Sequence, residues 1–284
     1  MSIRDNIRRV REGIDSACRE VGRSFDEVTL MAVTKTVEAA RINEALSCGI
    51  THIGENRVQE FLGKREMLHP AGDQGIYGNR GGLVQELQAM QGGQEGREVQ
   101  ALQGKQIPQG MQDAQAGRTA QGMQTGQAVQ AHLIGHLQTN KAAHIVGQVD
   151  MIQSIDSVRV AAAVAKCAAK LGIIVPVLVE VNIGGETAKE GVQPQELQGL
   201  LEEIAQIGNI QVRGLMTIPP ILTGEKEKRA IFAKMYRLYM DMAEKKLYNS
   251  GEHILSMGMS GDYREAIMEG STLVRVGTGI FGIR

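Results

Sequence analysis

The chain contains no tryptophan, and aromatic residues make up only 3% of its 284 positions. Platforms on which bases could stack are scarce, which argues against single-stranded nucleic acid as a ligand. Charge of one sign is not in excess either: 31 basic residues face 32 acidic ones, for a net charge of -1. A polyanion or an acidic membrane surface finds no electrostatic footprint in that balance. Cys18, Cys48 and Cys167 stand far apart with no Cys-x-x-Cys pair, so neither a disulfide framework nor a zinc site is suggested. His52, His69, His132, His144 and His253 show no metal-ligand spacing. No apolar run approaches the ~18 residues of a membrane span, and the charged start Met1-Ser-Ile-Arg-Asp lacks an apolar signal core. These absences leave a cytoplasmic enzyme or carrier as the expectation, with no metal, no nucleic acid and no membrane among its partners.

What is present is a regular alternation. Apolar residues at three- and four-residue steps (Ile3, Ile7, Val10, Ile14, Ala17, Val21) predict a helix over 2–22. The run Val28–Val33 then reads as a strand, Val37–Leu46 as a helix, and Thr51–Ile53 as a second strand that leads into a helix through Phe61 and Leu62. Further strands are expected at 132–135, 149–152, 174–181, 212–217, 253–257 and 273–276. Helical patterns fill the gaps, clearest over 157–171, 194–207 and 225–248. Near-continuous apolar strands between helices mean a parallel sheet covered on both faces. Eight such units predict a closed (β/α)8 barrel over an open sheet, and no Gly-x-Gly-x-x-Gly follows the first strand to favour a dinucleotide fold. One stretch breaks the pattern: from Gln85 to Gln130 every third residue is Gln, except Arg97 and Arg118. A period of three serves neither helix nor strand. Its composition buries too little apolar surface to offset chain entropy. The reading is one domain over 1–284, interrupted by a disordered, low-complexity insertion at about 70–130, with a partner-binding or self-associating Gln-rich segment as the alternative.

Lys35 follows the first strand, at the edge where a barrel places its ligands. Partial desolvation there would free a neutral amine to attack an aldehyde, and a solvated strand-capping lysine is the alternative. Opposite it, the last two strands run into Ser256-Met-Gly-Met-Ser260 and Val274-Arg-Val-Gly-Thr-Gly279. Loops after strands seven and eight commonly cradle a phosphate, and tight packing is the plainer reading of either turn alone. Arg275, between Val274 and Val276, should point inward, towards a pyridine nitrogen or towards a strand carboxylate such as Glu180. Asn56 orients a cofactor oxygen or caps a helix, His136 reads as a structural histidine before a base, and Met216 as a packing surface.

Six ordered motifs carry a resemblance. Ala32-Val-Thr-Lys35, Gly54-Glu-Asn-Arg-Val-Gln-Glu60, His132-Leu-Ile-Gly-His-Leu-Gln-Thr-Asn-Lys141, Gly214-Leu-Met-Thr-Ile-Pro219, Ser256–Ser260 and Val274–Gly282 are similar to those of the pyridoxal phosphate homeostasis proteins. That family has the fold of the N-terminal domain of alanine racemase. The resemblance implies pyridoxal 5'-phosphate as cofactor, held as a Schiff base on Lys35. It implies that Ser260, Gly277 and Thr278 hold the phosphate, that Arg275 faces the pyridine nitrogen, and that Asn56 and Met216 line the ring. It implies a non-catalytic carrier that maintains the intracellular balance of pyridoxal phosphate and amino acids and can supply apo-enzymes. A pyridoxal-phosphate-dependent amino-acid racemase and a Schiff-base aldolase remain the alternatives. The racemases' added β domain is not expected, since the sequence stops at Arg284, so a monomer is expected as well.

Overall fold

Eight parallel strands pair in chain order, and the last returns to pair with the first. They are β1 (Thr29–Val33), β2 (His52–Glu55), β3 (Gln130–Leu133), β4 (Met151–Ile155), β5 (Val175–Glu180), β6 (Ile210–Met216), β7 (Ile254–Met259) and β8 (Leu273–Val276). The computed structural model describes residues 1–69, 129–186, 189–249, 251 and 253–283. Both alternations of most strands are apolar because a barrel buries both faces. Ala32, Ile53, Leu133, Ile152, Val177, Val179, Leu255 and Val274 join the large core beneath the helices. Their alternates form two small separate clusters, Met31, Val33, Ile134 and Leu273 in one and Met151, Leu178 and Met216 in the other, which fill the inside of the barrel.

The helices that cover this sheet follow from the periodicities above. Helix α1 (Ile3–Glu20) buries Ile3, Ile7, Val10, Ile14 and Ala17 as one stripe, and the Ser2 hydroxyl accepts from the Asp5 backbone amide at 3.1 Å to cap its start. There follow α2 (Ala39–Ser47), α3 (Val58–Lys64), α4 (Ala142–Ile145), α5 (Val158–Leu171), α6 (Leu197–Ile204), α7 (Glu225–Glu244), α8 (Tyr263–Met268) and α9 (Thr278–Phe281). Helix α1 packs on α8 and α9, and the Asn6 amide donates to the Ile280 carbonyl at 2.9 Å. The first and last helices are thereby tied together beside the β8–β1 seam.

The expected barrel is the observed one, with local differences. Strand β4 lies two residues later than the apolar run at 149–152 suggested, because Gln153 and Ser154 are strand residues whose polar groups bond within the fold. Strand β3 starts at Gln130, the last unit of the three-residue repeat, whose amide donates to the Thr51 carbonyl at 2.8 Å. Apart from Val129 and Gln130, the segment read as a disordered insertion lies outside the described residues. Gly214 in β6 has φ +140°, and a Cβ there would lie 2.0 Å from the Ile254 carbonyl oxygen, so only glycine permits that strand contact. Among the described residues no helix is long and apolar enough to cross a membrane. The three cysteines are free, with Cys18 buried and the other two partly so.

Candidate cofactor site at the carboxyl mouth of the barrel

Because every strand is parallel, the residues that follow their ends gather at one mouth. Lys35 follows β1, Asn56 follows β2, His136 lies three residues past β3 and Asp156 follows β4. Glu180 and Met216 end β5 and β6, Ser260 follows β7, and Gly277 follows β8. Barrel closure corrects one expectation. Ala32 of β1 pairs with Val276 of β8, so Lys35 and the Gly277 turn are neighbours and do not face each other across the mouth.

The turn after β8 becomes the first turn of α9. The Gly277 and Gly279 amides both donate to the Ser260 hydroxyl oxygen, at 3.2 and 3.1 Å. Two N–H donors and one O–H converge there at a helix start, and Thr278 lies exposed between them. Such a group of donors suits an anion with several acceptor oxygens.

Arg275 lies beneath this cradle, buried as expected. Its Nη1 donates to Ser256 Oγ at 2.6 Å and its Nη2 to the Thr217 carbonyl at 2.7 Å. Ser256 in turn donates to Gln153 Oε1 at 2.7 Å, and the Gln153 amide lies 2.8 Å from His132 Nδ1. A chain of polar groups therefore crosses the inside of the barrel from β8 through β7 and β4 to β3. Burial lowers the Arg275 pKa to about 10, against the opposing pull of Glu180 and Asp262, so it remains a cation at neutral pH. Its side chain takes up two hydrogen bonds of the five N–H groups a guanidinium carries.

The β3–β5 side of the mouth is acidic. His136 Nδ1 lies 2.8 Å from Glu190 and 3.4 Å from Asp156. Among the described residues these three bring possible metal-ligand atoms within 4.8 Å of one another. His136 is exposed at the mouth beside these two carboxylates. Burial pushes the Glu180 carboxyl up to about 7, opposed by Arg275 and reinforced by the Asp156 and Glu190 charges. A carboxyl whose folded pKa is raised makes the fold more stable when protonated, and that advantage is lost as pH rises from the unfolded value of 4.5 to about 7. In the cofactor-free protein, Glu180→Gln is therefore expected to gain about 3 kcal/mol over the native chain between pH 4 and pH 8. Urea denaturation at several pH values measures it, and parallel stability curves would contradict it.

Three expected site residues are placed less simply. Lys35 is exposed in the turn Thr34–Val37, not partly desolvated. Asn56 is half-buried, and its backbone is brought close by Gly135, whose Cβ would lie 2.4 Å from the Asn56 carbonyl oxygen. Met216 is fully buried against Met151 and Leu178, under the mouth and not on its surface. Sequence reasoning missed Ser256, Gln153 and His132, since only strand pairing brings them together. It also missed Lys64, although Glu60 and Lys64 stand four apart on a helix, a spacing that marks an ion pair.

The donor set fits a phosphorylated pyridine aldehyde: convergent amides and a hydroxyl for the phosphate, a buried cation below, and an amine on the adjoining strand. The sequence model of the alanine racemase N-terminal domain matches residues 2–284. A pyridoxal phosphate homeostasis protein of Aquifex aeolicus is 34% identical over all of this chain and 99% of its own length. The structure of PipY from Synechococcus elongatus with pyridoxal phosphate bound is 27% identical with TM-score 0.67, covering 99% of this chain and all of PipY. An alanine racemase of Clostridium difficile, 14% identical with TM-score 0.61, shares the fold over 99% of this chain and 60% of its own. The chain belongs to the pyridoxal phosphate homeostasis protein family, built on the alanine racemase N-terminal domain.

Proposed function

We propose that this chain binds pyridoxal 5'-phosphate and carries it on Lys35 as a Schiff base. It thereby keeps a reactive aldehyde in store, maintains the intracellular balance of the cofactor and of amino acids, and performs no catalysis of its own. The observation that carries the reading is the adjacency of an exposed amine after β1 and an anion cradle after β8, on paired strands. The names of its relatives and the cofactor bound to PipY support it.

The cofactor supplies an aldehyde, which condenses with a primary amine with loss of one water. Lys35 offers that amine. Ser260, Gly277 and Thr278 hold the phosphate by hydroxyl and amide donors at the start of α9. Arg275, a permanent donor, faces the pyridine nitrogen and keeps it from taking a proton, which weakens the ring as an electron sink. Asn56 and Met216 border the ring, Met216 from below. The cofactor unit is one barrel over 1–284, interrupted at about 70–130, and it acts as a cytoplasmic monomer that hands its cargo to apo-enzymes.

Borohydride reduction of the loaded protein followed by peptide mapping tests the reading. The adduct is expected on Lys35 at one per chain, with no turnover across a panel of amino acids. An adduct on another residue, or steady racemisation, would overturn it.

A further inference from the structure

We propose that Lys64, held between Glu55 and Glu60, is a positioning residue that fixes the turn from which Lys35 reaches the cofactor. The inference deepens the reading of Lys35 as the reactive amine and rests on it.

Lys35 sits at the second position of a tight turn, closed by the Val37 amide donating to the Thr34 carbonyl at 3.0 Å. The next residue, Thr36, has φ +57°, a left-handed conformation that turns of this kind normally give to glycine. A β-branched residue there is strained, and such strain persists only where surrounding contacts over-determine it. Lys64, buried, donates to the Thr34 carbonyl at 2.8 Å and to the Val37 carbonyl at 3.4 Å, the two ends of the turn. It also pairs with Glu55 at 2.6 Å and with Glu60 at 3.0 Å. The Thr34 hydroxyl donates to Glu55, and the Thr36 amide donates to Glu60. Every residue of the turn except Lys35 itself is gripped by this group of three.

The grip is a costly one for stability alone. Glu55 is buried with one carboxylate oxygen that has no hydrogen-bond partner among the described residues, and burial raises its pKa in spite of Lys64 and Thr34. A buried ion pair is weak evidence of stabilisation, and apolar residues of the same volume often do as well. What this one provides is a backbone conformation. Among the described residues the Lys35 side chain makes no hydrogen bond or ion pair, and its amine is the group that must meet an aldehyde, so the scaffold is rigid up to Lys35 and the four-carbon stem adjusts.

Three proteins decide the matter: the native chain, Lys64→Met and Lys64→Arg. Each is mixed with pyridoxal phosphate, and the rate of the visible absorbance change is followed. Each is also titrated by calorimetry with pyridoxine 5'-phosphate, an alcohol that uses the phosphate and ring contacts but cannot join an amine. Lys64→Met is expected to slow adduct formation about 10- to 100-fold, the range set by misplacement of a reacting group by about 1 Å. Its affinity for the alcohol should stay within about two-fold of native, since the cradle lies on β7 and β8. Lys64→Arg, which keeps a cation between the carboxylates, should recover part of the rate. Hydrogen exchange at the Thr36 amide should quicken in Lys64→Met alone. If circular dichroism shows that Lys64→Met does not fold, Glu60→Ala, which empties a part-exposed site, takes its place with the same expected outcomes. A native rate in the folded variant overturns the proposal while an adduct mapped to Lys35 leaves the parent reading intact. Equal loss of rate and of alcohol affinity also overturns it, because that is general damage to the site. An adduct that maps in the native chain to a lysine other than Lys35 sinks the parent reading and this one with it.

Discussion

Lys35→Ala is expected to remove the visible adduct completely, to leave nothing for borohydride to trap, and to leave the fold as stable as before. The last part follows from exposure. Lys35 is exposed, and among the described residues no carboxylate forms an ion pair with it. Surface substitutions of that kind usually stay within about 0.5 kcal/mol. Loss of the adduct follows from chemistry, because alanine has no amine, Lys64 behind the turn is buried and occupied by Glu55, Glu60 and two carbonyls, and Lys228 beside the cradle is taken up by Glu265 and the Gly261 carbonyl. Binding itself should persist in weakened form. The donors of Ser260, Gly277 and Gly279 lie on other strands and are untouched, so the residual affinity is that of phosphate and ring contacts. A loss of about 3 kcal/mol, roughly a hundred-fold, is the scale expected when one strong contact goes and the rest remain. Lys35→Arg separates charge from reactivity: it keeps a cation at the turn yet should form no adduct either. Absorbance titration and mass spectrometry after reduction give both readings, and a trapped cofactor in Lys35→Ala would refute the assignment.

Most of the candidate site was legible in the sequence because its parts are local. A lysine two residues past an apolar strand, and a Gly-Thr-Gly turn after another, are properties of short segments whose strand ends can be read from the pattern. Closure of the barrel follows from eight repeats, though the adjacency of Lys35 and Gly277 needs the β1–β8 pairing, which makes neighbours of residues more than two hundred positions apart. Helix α9 was hidden because Thr278-Gly279 reads as a turn by composition; the helix is held by tertiary contacts, with Asn6 donating to Ile280 and Arg41 to the Phe281 carbonyl. The exposure of Lys35 was misjudged for a related reason. Position along a strand says which end of the barrel a residue occupies, while burial depends on whether the chain turns outward after the strand, and here it does so at Thr36. Polar residues inside the barrel were the hardest to see. Gln153 interrupts the apolar run of β4 and shortened the strand expected there, yet its bonds to Ser256 and His132 are what make a polar group tolerable at that depth.

That same interior should make the protein sensitive to acid. His132 is buried in the barrel, and burial lowers its pKa from 6.5 to about 3, with the charges of His52 and Arg213 acting in the same direction. Gln153 donates to Nδ1, so the proton of the neutral ring belongs on Nε2, which has no hydrogen-bond partner among the described residues. An added proton would have to reside on Nδ1, where it would meet the Gln153 amide and break the chain that leads to Arg275. Between about pH 6.5 and pH 3 the unfolded chain therefore binds a proton that the folded chain refuses, and stability falls as pH falls through that window. A shift of this size corresponds to about 5 kcal/mol over the whole window, a large part of what holds an ordinary domain together. His52, whose pKa burial also lowers although Asp150 opposes it, adds to the effect. His132→Asn tests the claim, since the asparagine side-chain oxygen can stand where Nδ1 stood and accept from Gln153, while nothing at that position titrates. Its stability at pH 7 is expected to fall through lost packing against His52, whose ring centroid lies 5.6 Å away. Its stability should nevertheless decline less steeply below pH 6.5, so that urea midpoints of the two proteins converge or cross as the solution is acidified. If the two curves stay parallel down to pH 3.5, His132 takes up its proton in the folded state at no unusual cost, and the buried chain is not what limits the protein in acid.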